Sequence, residues 1–180
     1  MAKPKTNIAK PKTVYAGTHL EMVSRGGWEY VRRPKISGIV GIVAVTDAKE
    51  LILIRQFRPP LNADVIEIPA GLAGDVVGSE SESLASAAKR ELLEETGYDA
   101  KKMKLLSYGA SSAGLCDEII HLFLATGLKK VADADGDATE RISTILVPLS
   151  KVEAWIRRQQ KAGAAVDLKV FAALHFAGKA

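Results

Sequence analysis

A single mixed α/β domain is what the sequence predicts, on three observations. Short apolar and β-branched runs crowd the first third of the chain. One amphipathic helical segment follows, then further strand-like runs, and two helical segments close the chain. This order is not the regular strand–helix alternation of a doubly wound sheet. At 180 residues, 47% hydrophobic and 26% charged, the chain can bury one full core, and no linker-like stretch divides it.

Each element has a local reason. "TVYAG" and "HLEMVSRGGWEYVRR" read as short strands, with Arg25-Gly26-Gly27 as the turn. "SGIVGIVAVT" and "LILIRQF" are buried-looking strands joined by the turn "DAKE", and Pro59-Pro60 ends the second. "VIEIPAG" is a short strand closing at Pro69-Ala70-Gly71, and the Gly- and Ser-rich "LAGDVVGSE" reads as a loop. From Ser83 to Thr96, Leu84, Ala87, Ala88 and Leu92 recur at helical spacing, and Gly97 stands where a helix stop belongs. "MKLLSYGAS" and "EIIHLFLATGL" are strands, "KKVADADGDAT" is a polar loop, and "ERISTILVPL" is a strand ended by proline. "KVEAWIRRQQ" and "VDLKVFAALHFA" are helices, with Asp167 as an N-cap or first-turn acid of the second.

Charge and cysteine usage narrow the class. The chain carries 25 Lys+Arg and 21 Asp+Glu. Lys3, Lys5, Lys10 and Lys12 lie in the first twelve residues with no acid among them, so the rest is formally neutral. A nucleic-acid protein would show its basic excess as a patch on the fold. Here the excess is a tail, residues 1–13, with a repeated "AKPK" that reads as a disordered, solubilising arm. No apolar run approaches the roughly 20 residues that span a bilayer, and the N-terminus lacks the apolar centre of a secretory signal. Cys116 is the single cysteine, so no intrachain disulfide forms, which fits a reducing, cytoplasmic setting.

"RELLEETGY", Arg90 to Tyr98, carries the chemistry. Glu91, Glu94 and Glu95 share one helix face just before the helix stops, at its negative end. A solvated acidic face is one account. A hard divalent cation bound by oxygen ligands is the other.

Glu82, then Arg90-Glu91-Leu92, Glu94-Glu95 and Gly97-Tyr98 resemble the signature of the Nudix hydrolases. Where that pattern wants a glycine the chain has Val76; Gly71 is the counterpart and the loop after it is longer, with Gly74 or Gly78 taking part of the role as the alternative. "WEYVRR", "IRQFRPP", "EIPAG" and "FAALHFA" are similar in place and type to the ADP-ribose pyrophosphatase branch, which includes nucleoside-diphosphate-sugar hydrolases. The resemblance implies a Nudix α/β/α sandwich around a mixed sheet over residues 36–180. It also implies an N-terminal β region, residues 14–35, used to form a homodimer.

By the same resemblance the Ala70 carbonyl, Glu91 and Glu95 ligate Mg2+, or Mn2+ in its place, with Glu82 as an outer or additional ligand. Glu94 ligates or orients, and Arg90 holds the glutamates. Glu140 in "GDATERIS" matches the loop glutamate that acts as general base, with Glu118 as the alternative. Trp28 resembles the aromatic that stacks the nucleobase, with Glu29 supplying specificity. Arg33, Arg58 and Glu67 match positions lining the diphosphate or terminal sugar; Arg55 replaces Arg58 if the strand register differs. The implied activity is magnesium-dependent cleavage of the pyrophosphate of ADP-ribose or another nucleoside diphosphate sugar. The rivals are a Nudix hydrolase of dinucleotides or nucleoside triphosphates, and a non-catalytic nucleotide-sugar sensor.

Overall fold

In a computed structural model the described residues are 9–78, 80–134 and 142–178. The chain begins with β1 (Lys12–Ala16), β2 (Glu21–Arg25), β3 (Trp28–Arg32), β4 (Gly38–Ala44) and β5 (Glu50–Arg58). Next come β6 (Ala63–Glu67), β7 (Ala70–Ala73), α1 (Leu84–Thr96), β8 (Tyr98–Ala110) and β9 (Ile119–Lys130). It closes with β10 (Ile142–Pro148), α2 (Val152–Lys161), β11 (Ala165–Val166) and α3 (Leu168–Ala177).

Among the described residues the strands form three sheets, ordered β1-β2-β3, β10-β5-β6-β11 and β7-β4-β9-β8. The third is mixed: β4 runs antiparallel to β7 and parallel to β9. Two cores hold the two larger sheets between helices. Ala87, Ala88 and Leu92 of α1 pack on Val40, Ile42 and Phe123. Val152 and Ile156 of α2 and Val170 and Ala173 of α3 pack on Leu51, Leu53, Ile66 and Ile68. Each fully buried aliphatic side chain here contributes about 1.5–3 kcal/mol. The result is a mixed α/β fold with α1 on one core and α2 and α3 on the other.

Helix α1 forms where its sequence signals say. The Ser83 hydroxyl caps it by accepting from the Ser86 N–H, and Gly97 ends it at φ 70°, donating its N–H to the Leu93 carbonyl. A Cβ at Gly97 would also strike the Ala132 carbonyl, so close approach and handedness both call for glycine.

Four differences from the sequence expectation bear on the site. The segment from Leu72 to Ala73, expected in a loop, belongs to β7, because Pro69 ends one ladder and the chain enters another. β8 starts at Tyr98 rather than near Met103; Lys101, Lys102 and Lys104 mask it, and it is an edge strand where lysine is at home. Val166 lies in the short strand β11 and helix α3 starts after it, with Asp167 capping by accepting from the Lys169 N–H. Lys12 and Thr13, expected at the end of the basic tail, are already in β1, while residues 1–8 lie outside the described residues. Among the described residues no helix is long and apolar enough to cross a membrane.

Candidate active site

The site is built at a change of sheet. β6 ends at Glu67 in one sheet and β7 begins at Ala70 in another, with Ile68-Pro69 between them. Proline has no N–H to continue the ladder. The switch lays Ala70, Gly71 and Leu72 against the end of α1. The Ala70 N–H donates to Glu95 Oε2 at 2.9 Å, and Arg90 Nη2 donates to the Leu72 carbonyl at 2.9 Å. A Cβ at Gly71 would fall on the Glu91 carboxylate, so glycine lets that side chain keep this position.

The three glutamates of "RELLEETGY" separate by environment. Glu95 is 7% exposed and the Glu91 side chain 12%, while the Glu94 side chain is 51% exposed. A solvated acidic face therefore does not describe Glu91 and Glu95. Burial pushes the Glu95 carboxyl up to about 8; the Ala70 hydrogen bond opposes this, and the charges of Glu91 and Glu67 add to it. Burial likewise pushes Glu91 up to about 7 against the pull of Arg90, with Glu94 and Asp75 adding to the rise.

Arg90 lies at the centre of this cluster. Nη1 donates to Glu91 Oε1 at 2.8 Å and to Glu94 Oε2 at 3.1 Å, and Nη2 donates to Glu82 Oε1 at 2.9 Å. Burial alone would lower its pKa; the hydrogen bond to Glu82 and the charges of Glu91, Glu82 and Glu94 outweigh that and raise it. The same hydrogen bond holds the Glu82 carboxyl below its usual range. Glu82 also accepts from the Gly74 N–H at 3.2 Å.

A cleft of about 670 Å³ opens over these groups, and Arg33, Arg58, Glu67, Glu91, Glu94 and Glu95 are among its lining residues, with Ala70 and Arg90. Arg58 grips the buried Glu67 through two hydrogen bonds, of 2.6 and 3.0 Å. Arg55 instead donates to Gln159 on α2, so the register of β5 turns Arg58 rather than Arg55 into the cleft. Arg33 Nε donates to Glu118 Oε1 at 2.8 Å, and Glu118 lines the cleft.

Not every expected residue meets there. Glu82 is tied to Arg90 and Gly74 and is not among the lining residues. Trp28 and Glu29 lie on β3, Trp28 at 69% exposure, and neither lines the cleft of the single chain. Glu140 lies outside the described residues. Sequence reasoning did not single out Gln56 and Asp75, nor place the Asp167–Lys169 pair in the cleft, and all four line it. Gln56 had a signal: it is a polar residue inside the apolar strand "LILIRQF".

The donor set suits a hard cation. Two largely buried carboxylates with raised pKa values, Glu91 and Glu95, line the cleft, Glu95 beside the Ala70 backbone and Glu91 beside Arg90. Among the described residues no three His, Cys, Asp or Glu side chains enclose a cation unaided. A cation held by Glu91 and Glu95 would complete its shell from oxygens of backbone, water or substrate, as magnesium commonly does.

The chain resembles known proteins. Residues 37–173 match the NUDIX domain, and the chain belongs to the Nudix hydrolase family. Over 133 residues it is 37% identical to the methanol dehydrogenase activator of Bacillus methanolicus, covering 73% of this chain and 68% of that protein. Over 100 residues it is 43% identical to the ADP-ribose pyrophosphatase of Bacillus subtilis (strain 168), covering 56% of this chain and 50% of that one. The fold matches the crystal structure of an ADP compounds hydrolase at a TM-score of 0.68 and 23% identity, over 83% of this chain and 82% of that one.

Proposed function

We propose that this protein hydrolyses the pyrophosphate bond of ADP-ribose or a related nucleoside diphosphate sugar, giving a nucleoside monophosphate and a sugar phosphate, with Mg2+ bound (Mn2+ as substitute). The observation that carries the proposal is the buried Glu91–Glu95 pair facing Ala70 in a cleft that also holds Arg33 and Arg58. The names of the relatives lend it support, ADP-ribose pyrophosphatase among them.

Glu91, Glu95 and the Ala70 carbonyl would hold the cation, with Glu82 and Glu94 supporting. When bound, the cation supplies charge neutralisation at the diphosphate and a water of lowered pKa. The protein's own groups do the rest. Arg33 and Arg58 offer guanidinium N–H pairs suited to phosphate oxygens; both now pair with carboxylates, Glu118 and Glu67, which substrate would have to share. Arg90 keeps Glu91 and Glu82 in place so that their oxygens need not reorganise. Glu140 is proposed as the general base, taking the proton of the attacking water, with Glu118 the alternative.

The three-stranded sheet of β1, β2 and β3 leaves Val14, Tyr15, Met22 and Trp28 exposed. We assign it to a homodimer contact over residues 14–35, through which Trp28 would stack a nucleobase in the partner's cleft.

The test is phosphate-ester release from a panel of nucleotide sugars with and without Mg2+, beside Glu95→Gln, Glu140→Gln and Glu118→Gln. Turnover that needs Mg2+ and is abolished by the first two substitutions supports the proposal. Cleavage of dinucleotides or triphosphates in place of every sugar would move the substrate class. Tight nucleotide-sugar binding with no turnover would make the protein a sensor.

A further inference from the structure

One wall of the cleft is a row of side chains crossing three strands. In the sheet β10-β5-β6-β11, Gln56 and Arg58 of β5 and Val65 and Glu67 of β6 line it. β11 lies parallel beside β6, with Ala165 opposite Val65 and Val166 opposite Ile66. The Asp167 N–H carries this ladder one step further, donating to the Ile66 carbonyl at 3.0 Å. Asp167 therefore stands beside Glu67, and it lines the cleft together with Lys169. Arg58, reaching from β5, bonds Glu67 from the other side.

A lysine ordinarily keeps its ammonium out in water. Lys169 instead folds back onto Asp167: its Nζ donates to Oδ2 at 2.6 Å, while its backbone N–H donates to Oδ1 at 2.7 Å. The Lys169 and Asp167 side chains keep 21% and 26% exposure, so a ligand in the cleft can reach them. These bonds use one of the three ammonium donors and one acceptor site on each carboxylate oxygen, which leaves the pair both donor and acceptor capacity. The pair has no net charge. A phosphate brought to Lys169 would also meet the Asp167 carboxylate. A hydroxyl suits both partners, since it accepts from the ammonium and donates to the carboxylate, and two adjacent hydroxyls engage the pair together.

We infer that Asp167 and Lys169 are specificity-determining residues that together bind adjacent hydroxyls of a ribose of the substrate. This rests on the nucleotide-sugar proposal above and deepens it. The order of groups along the cleft carries it. Glu95, in the cation cradle, lies near enough for the Glu67 charge to act on it. Glu67 is bonded by Arg58, and Asp167 stands next to Glu67. A diphosphate bridging the cradle and Arg58 would carry the sugar esterified to it toward Asp167 and Lys169. ADP-ribose has a ribose on each phosphate, so the same hydroxyl chemistry has two sources. A site built to bond hydroxyls discriminates strongly against a ligand lacking them.

The test compares the wild-type protein with Lys169→Met and Asp167→Asn, the second keeping a residue able to cap α3. Binding is measured calorimetrically with Mg2+ to the α,β-methylene analogues of ADP-ribose, ADP and 2′-deoxy-ADP, whose bridging carbon resists hydrolysis. Steady-state kinetics on ADP-ribose are measured alongside. Both substitutions should weaken the ADP-ribose analogue roughly tenfold or more, and raise KM with kcat held within about threefold. If the terminal ribose is the one held, the ADP analogue changes by less than about threefold. If the nucleoside ribose is held, the ADP analogue weakens as much as the ADP-ribose analogue, and its 2′-deoxy form, weaker already in wild type, changes by less than about threefold. The inference is overturned if all three analogues weaken to the same extent, the mark of a phosphate contact or of lost structure, if none weakens, or if wild type binds none. Binding that follows the expected pattern, with no wild-type turnover of any nucleotide sugar, would sink the hydrolase proposal and leave this pair as the ribose reader. Turnover of ADP-ribose with KM unmoved by both substitutions would do the reverse.

Discussion

Arg90 Nη2 donates to the Leu72 carbonyl at 2.9 Å, tying the last turns of α1 to strand β7. The same guanidinium bonds Glu82, Glu91 and Glu94. One side chain thus fixes both the carboxylates and the strand they face. Arg90→Gln should lower kcat/KM by about tenfold to a hundredfold, the usual effect of losing a group that orients metal ligands. It should also cost about 1–3 kcal/mol of stability, because the part-buried Glu82 and Glu91 would lose their charged hydrogen-bond partner. Steady-state kinetics and a urea melt read the two effects separately; full activity in the variant would remove Arg90 from the site.

The raised carboxyls make a pH signature. Glu91 is pushed up to about 7 and Glu95 to about 8 from an ordinary 4.5. The folded protein therefore holds these protons more tightly than the unfolded chain does. Their stabilising contribution is complete below 4.5 and is lost as pH rises through 7 and 8. In EDTA the thermal midpoint should fall between about pH 5 and pH 8, by roughly several degrees. In Glu95→Gln the fall should be shallower. Mg2+ should restore the wild type above about pH 7 and leave Glu95→Gln little changed. A pH-independent wild-type midpoint in EDTA would show that burial does not control these groups.

Gly71 offers a steric test that leaves every charge in place. A Cβ there falls on the Glu91 carboxylate. Gly71→Ala should swing Glu91 out of position and cut kcat about a hundredfold, as a displacement near 1 Å can. Far-ultraviolet circular dichroism should remain that of the wild type. An active alanine variant would mean that Glu91 can move without consequence.

Trp28 is 69% exposed in the single chain, so its removal should spare the fold. If it stacks a base across a dimer, Trp28→Ala should raise KM for nucleotide sugars about tenfold while kcat changes little, given roughly 1–3 kcal/mol per stacked base. Sedimentation should show a dimer for the wild type and a monomer for a Val14→Glu, Tyr15→Glu double variant. A wild-type monomer with unaltered kinetics in Trp28→Ala would end that assignment.

What the sequence made legible was mostly local. Helix α1 could be read because its cap Ser83, its stop Gly97 and its Ala87–Ala88–Leu92 stripe are all set by neighbours within a turn or two. The acidic triplet was legible as a motif, but its division into two buried carboxylates and one exposed one was not, since Ala70 and Gly71 bury Glu91 and Glu95 from far along the chain. The second half of β7, Leu72 and Ala73, was read as loop for the same reason: its partner is β4, and nothing in so few residues announces that pairing. The start of β8, before Met103, was masked by lysines that suit an exposed edge. Gln56 was passed over because a lone glutamine in an apolar strand becomes informative only once the cleft beside it is seen.

The two residues between β6 and β7, Ile68 and Pro69, act as a hinge pin held at both ends. Ile68 is fully buried in the core beneath α2 and α3, and the Pro69 carbonyl accepts from the Ile42 N–H of β4. Glu67 belongs to one layer and Ala70 to the other, with this pin between them. Any sliding of one layer against the other is felt at once as a change in the spacing between Arg58–Glu67 and Glu91–Glu95. A ligand gripping both pairs would brace the two layers against each other.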